Sequence, residues 1–249
     1  MKKTIRNTLL IVLAMVLIAT ASVFGTIAYL QDEEGVENTM TLGNVYVDLI
    51  EQEWNADKTA LVPFTQNKPL LPMVGTLGWE NETADGGAYR RFTGNNIVDK
   101  YVSVKNTGTV SAYVRTFIAL EMGSLSFSEL ADAISASTNS KTGSEFPGLS
   151  WIWTHDFVAE IDGKNYNIMV AVHEAPVAPN QTTVPSLLQV YMKSGATNET
   201  VINIDGNGNG LYDIKTFVQA VQVSGFEDLG AEGALNKVFG NPTDVLPWD

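Results

Sequence analysis

Cysteine is absent from the 249 residues, which excludes disulfide stapling, thiol catalysis and cysteine-ligated zinc or iron–sulfur sites. Histidine is nearly absent too, with His155 and His173 the whole supply. A zinc protease needs about three protein ligands, a general base and an open position for water. His173-Glu174 begins like the helical zinc motif, but Ala175-Pro176-Val177 follows. Proline breaks the helix there, and no second histidine stands at the required spacing. His155 lies in 151–156, which reads as a strand. The chain also lacks a Gly-x-Ser-x-Gly elbow, a phosphate-cradling glycine loop and any internal repeat. Carboxylates are so numerous that no glycosidase pair stands out. No basic stripe is interleaved with aromatics, so nucleic acid is excluded as a partner.

What is present in excess is negative charge. Lys+Arg number 15 against 28 Asp+Glu, a net charge of −13. The N-terminus carries Lys2, Lys3 and Arg6, then an apolar run over 9–19, then small residues ending in Gly25-Thr26-Ile27-Ala28. That is the layout of a cleavable signal peptide over 1–28, with Thr26 and Ala28 at positions −3 and −1 and Tyr29 as the first mature residue. A retained anchor is the alternative, since 9–27 is just long enough to span a bilayer. Thr20, Ser22, Gly25 and Thr26 dilute its second half. Cleavage implies a secreted, extracellular protein that meets the membrane only transiently, through its leader. Removing the leader lowers Lys+Arg from 15 to 12 and brings the formal charge near −16. Such a surface repels anionic polymers and lipids and tolerates divalent cations best. At the C-terminus, 243–249 shows no apolar tail or basic stop, so no covalent anchor is expected.

Along the chain, β signals dominate. Val45, Val47 and Leu49 alternate with Tyr46, Asp48 and Ile50, and Val98, Lys100, Val102 and Val104 with Asp99, Tyr101, Ser103 and Lys105. Asn106-Thr107-Gly108 breaks that run, and alternation resumes over 112–120. The two runs make either an antiparallel hairpin or two facing strands of a sandwich. Between 54 and 91, repeated Pro and Gly predict a long connection. Ser126 and Glu129 form a capping box opening a helix over 126–137. Strands are expected at 151–161, 166–172 and 186–192, with a turn at Asp162-Gly163-Lys164-Asn165. Asp213 caps an expected helix to about 223, and a last helix spans 231–239. The fold class is mainly β: an antiparallel β-sandwich, jelly-roll-like, with about eight strands and three short helices in its connections. Residues 45–249 form one domain, and 29–44 is an N-terminal segment before it. Trp151 and Trp153 share a strand face, as core residues or as a carbohydrate platform. The loop 205–213 places Asp205, Asn207, Asn209 and Asp213 at positions 1, 3, 5 and 9 of a calcium loop, with Gly210 at 6. Thr216 stands where the bidentate acid belongs, so a Gly/Asn turn is the alternative and no cofactor is expected.

Three blocks carry a family resemblance. Gly25-Thr26-Ile27-Ala28-Tyr29-Leu30-Gln31-Asp32, followed by Asn38-Thr39-Met40-Thr41-Leu42-Gly43-Asn44-Val45, resembles exported proteins whose leader is cut by the dedicated signal peptidase SipW. Asp99-Lys100-Tyr101-Val102-Ser103-Val104-Lys105-Asn106-Thr107-Gly108, with Ala112-Tyr113-Val114-Arg115, is similar to the first internal strand pair of the same proteins. Gln219-Ala220-Val221-Gln222 with Gly225-Phe226 is the third block. Together they resemble the TasA/camelysin family of Firmicutes. The resemblance implies a jelly roll, secretion and, for matrix members, fibres in which the freed N-terminal segment adds a strand to the next subunit. Here 29–42 would be the donor, with Val36, Met40 and Leu42 filling pockets. The expected function is a non-enzymatic extracellular matrix or cell-surface protein of biofilm type, whose partners are itself or related matrix subunits. Two alternatives stay open: a camelysin-like metallo-endopeptidase, and a surface binding module acting through 54–91.

Overall fold

The computed structural model describes residues 44–84, 87–138, 151–205 and 208–248, with the backbone alone over 82–84 and 87–90. Two antiparallel sheets carry the core. The first takes the order β2 (Leu61–Pro63), β1 (Val47–Trp54), β5 (Ile97–Asn106), β10 (Leu187–Met192), β7 (Ile134–Thr138). The second runs β11 (Ile214–Gln222), β6 (Ala112–Glu121), β9 (Lys164–His173), β8 (Trp151–Ile161). The expected β-sandwich is therefore present. The inner strands keep the neighbours of a jelly roll: β5 with β10, β10 with β7, β6 with β9 and β11. The outermost pair departs from it, because β1 sits beside β5 instead of β11, and β8 beside β9 instead of β7.

Asn106 decides that β5 and β6 face each other rather than form a hairpin. Its buried Nδ2 donates to the carbonyls of Val110 (2.8 Å) and Val177 (2.7 Å), and its Oδ1 accepts from Gly108 N–H. The chain is thereby turned across the sandwich. Val102, Leu187, Val190 and Met192 of the first sheet then pack on Ile118 and Leu120 of the second. Trp151 joins Val104, Val114 and Ala171 nearby, its indole N–H bonded to the Val184 carbonyl at 2.8 Å. Trp151 is fully buried and Trp153 packs against the same core, so this pair belongs to the interior.

The second sheet is covered on its outer side as well. α3 (Gly230–Phe239) lays Ala234 and Leu235 on Tyr113, Val172 and Val221, while Trp248 packs edge-on against Phe117 and Phe217. Every residue of β6 is consequently buried.

Three expectations are corrected. The stretch 54–91 is not a bare connection: it holds β2 and most of a hairpin, β3 (Val74–Ala84) with β4 (Gly87–Asn95). The segment after Asp213 is the strand β11, paired with β6 over nine residues, and not a helix. Phe217, Val218 and Val221 fit a helical face, yet with a covered outer side both faces of a strand are apolar, so periodicity alone misleads. α1 (Phe127–Ala133) has the expected capping box but stops at Ile134, where β7 pairs with β10. A further helix, α2 (Asn198–Ile204), is capped by Thr197. The turn at Asp162-Gly163 stands as expected between β8 and β9.

Candidate functional site

The leader and its cleavage residues Thr26, Ala28 and Tyr29 lie outside the described residues, as do the donor positions Val36, Met40 and Leu42. The described chain begins where that segment ends. Asn44 N–H donates to Thr109 Oγ1 (3.0 Å), and the Asn44 carbonyl accepts from Thr109 N–H (2.9 Å). The Tyr46 carbonyl accepts from both Thr107 and Gly108. A Cβ on Gly108 would stand 2.3 Å from the Asn44 carbonyl oxygen, so glycine is required by contact with backbone.

The described residues of these blocks meet in space, Asn44 lying at the end of the first. The start of β1 rests on the 106–109 turn, and Arg115 reaches the third block. Its Nε donates to Gln219 Oε1 (2.7 Å), one Nη to Asn236 Oδ1 (2.6 Å) and the other to the Gly240 carbonyl (3.1 Å). Burial pulls its pKa down to about 10, partly offset by Glu232. The guanidinium ties β6, β11 and α3 together.

A strand-accepting site needs an unpaired backbone edge. Within the two sheets the edges are β2 and β7, of three and five residues, β11 of nine, and β8 of eleven. β8 contains neither lysine nor proline, and Asp156, Val158 and Glu160 along it are exposed. Asp156 is partly desolvated, which raises its pKa against the opposing pull of the Asn167 side chain.

The expected metal positions are separately engaged. Asp205 Oδ1 accepts from Asn209 N–H (3.2 Å) and Oδ2 from Gly210 N–H (2.7 Å), and Asn209 Oδ1 accepts from Leu211 N–H (2.7 Å). Asp213 Oδ2 accepts from Lys164 Nζ at 2.7 Å. Residues 206 and 207 lie outside the described residues. His155 contacts Thr154 Oγ1 at 2.9 Å, while His173 contacts the Ala175 carbonyl at 2.6 Å with its ring edge-on to Trp151. Among the described residues no three His, Asp or Glu side chains stand together as a metal site. Nor is any described helix long and apolar enough to cross a membrane.

One further feature is a cleft of about 470 Å³ between the first sheet and residues 210–214. Residues 64–70 form its outer wall, and Val98, Lys100, Val190 and Met192 line it from the sheet. Lys100 is almost wholly buried. Its place in the row Val98, Lys100, Val102, Val104 was the available signal, a cation in an otherwise apolar inward register.

Comparison with protein-family models, curated proteins and solved structures finds no match to this chain.

Proposed function

We propose that this protein is an exported, non-enzymatic structural subunit of an extracellular matrix or cell surface that assembles with its own copies or related subunits by strand addition. The free edge of β8 carries this reading. It is the longest edge of the sandwich, and among the described residues nothing pairs with its outer side. An added strand would complete its main-chain hydrogen bonds. The segment 29–42, released when the leader is cut, is the donor, and its three apolar positions supply specificity. The resemblance of the sequence blocks to TasA/camelysin proteins points the same way.

Electron microscopy of the purified protein beginning at Tyr29 tests this. Filaments are expected, and they should vanish when 29–42 is deleted. Neighbouring strand residues direct their N–H groups to opposite sides, so of Val158→Pro and Ala159→Pro one spares the β9 ladder. That variant should stay folded and stop assembly. Monomers persisting at high concentration with 29–42 intact would refute the proposal.

A further inference from the structure

Three charged side chains meet at one end of the second sheet, on three neighbouring strands. Glu121 closes β6, Lys164 opens β9 and Asp213 immediately precedes β11. Lys164 Nζ lies 2.7 Å from Asp213 Oδ2 and 3.8 Å from Glu121 Oε1. Glu121 Oε2 accepts from the Asp213 N–H at 3.0 Å, so this carboxylate touches both members of the ion pair. Lys68, Lys100 and Lys215 each pair with a single carboxylate. Lys164 has two, and one of them, Glu121, is 0% exposed.

These are the parts that amide formation needs: an amine, a carboxyl group in contact with it, and a third group to carry protons. Burial disfavours charge on a carboxylate, which suits Glu121 to hold a proton in passing. The hydroxyls of Tyr166 and Tyr212 border the group, both buried and without a hydrogen-bond partner among the described residues. Burial above all, with the charge of Glu121 adding to it, keeps both protonated. A neutral phenol can donate to the oxygen that gains charge when an amine adds to a carboxyl group. Lys164 and Asp213 are 21% and 34% exposed, which leaves a path for released water.

We propose that Lys164 and Asp213 condense to an isopeptide bond between their side chains, with Glu121 carrying the protons. Lys164 rests as an ammonium, held so by its bond to Asp213, and the step begins when one proton passes to Glu121. The freed amine attacks Asp213 Cγ, the N–Cγ bond forms and one Cγ–O bond breaks. The two protons lost from Nζ leave with that oxygen as water, and Glu121 ends ionised as it began. No oxidant or co-reactant is required. Free amines and carboxylates in water do not condense, but groups held in contact act at effective concentrations of about 10⁵ M or more. The bond would tie β9 to β11 across β6. It lies apart from the β8 edge and does not depend on strand addition.

Intact-mass spectrometry of the denatured protein beginning at Tyr29 tests this. The mass should fall below that of the sequence by one water, about 18 Da, and a digest should contain one branched peptide joining Lys164 to Asp213. Asp213→Asn should lose ammonia instead and arrive at the same mass as the unaltered protein. Lys164→Arg keeps the charge and should show its full sequence mass. Glu121→Gln, with folding checked by circular dichroism, should lower the condensed fraction at least about tenfold. The proposal is overturned if the folded, unaltered protein has its full sequence mass. A folded Glu121→Gln that condenses as completely as the unaltered protein would overturn the role given to Glu121.

Discussion

At the scale of single residues, buried polar groups hold the layers of this molecule in place. Arg115 is 1% exposed, and truncation would leave Gln219, Asn236 and the Gly240 carbonyl without their donor. Arg115→Ala should therefore cost about 2–4 kcal/mol in urea unfolding, and Arg115→Lys a large part of that, since an ammonium cannot reproduce the planar fork. His173 gives a pH dependence. Burial lowers its pKa, against the smaller upward pulls of the Ala175 carbonyl and Glu174. The unfolded chain thus takes up the proton first as pH falls through about 6.5. Because the unfolded state binds more protons in that window, stability falls with falling pH and is fully present above it. The urea midpoint should drop between pH 7.5 and 5.5 by more in the native protein than in His173→Phe. An equal drop in both would assign the dependence to the carboxylates. Tyr166 behaves in the opposite sense for an acid: burial pushes its hydroxyl up to about 12, which keeps it neutral and adds no titration near neutrality.

At the scale of elements, two contacts decide what local patterning leaves open. Gly123 has φ +56°, and an added Cβ would lie 2.0 Å from the Asn203 carbonyl oxygen. Gly123→Ala is expected to cost more than about 1 kcal/mol, whereas Gly195→Ala, with open space around it, should be nearly neutral. Differential scanning calorimetry separates them. The β3–β4 hairpin is fastened by a side chain that imitates a peptide group. Gln189 Oε1 accepts from Phe92 N–H (2.6 Å), and its Nε2 donates to the Phe92 carbonyl (2.9 Å) and Asp99 (2.9 Å). Phe92 then packs edge-on to Tyr191. Gln189→Ala should speed amide exchange at Phe92 by at least about tenfold, a loss of about 1.4 kcal/mol of local protection, while β6 and β9 stay protected. Where the sequence reading succeeded, as for β1, β5, β8 and β9, a turn or an alternating face was written locally. Where it failed, at β3, β4 and β11, the partner was distant: a glutamine from β10 for the hairpin, and a covering helix and tail for β11.

At the scale of the whole molecule, charge opposes assembly. Without its leader the chain carries a formal charge near −16; the β8 edge holds Asp156 and Glu160 of these charges, and the proposed donor contains Asp32, Glu33 and Glu34. Like charges brought across an added strand repel. Screening shortens from about 30 Å at 0.01 M salt to about 10 Å at 0.1 M, so filament growth followed by light scattering should speed up over that range. Growth that slows with salt would require attraction between oppositely charged faces and would remove β8 as the acceptor.

The sequence by itself determined the class of the molecule: mainly β, cysteine-free and acidic, with its strands announced by alternation and its turns by Asn, Asp and Gly. Those features are local, each settled by residues within one turn or one strand. Tertiary structure alone decided which sheet each strand joins, because Asn106 sends β5 and β6 to opposite sheets through contacts with Val110 and Val177. It also decided which faces are covered, since the outer cover of β6 and β11 is α3 and Trp248, more than twenty residues away along the chain from most of what they bury. Finally, it created the cleft, because Glu51, Phe64, Lys100, Ile204 and Leu211 come from five separate segments. Their pairing is a property of distance in space, which no spacing in the chain encodes.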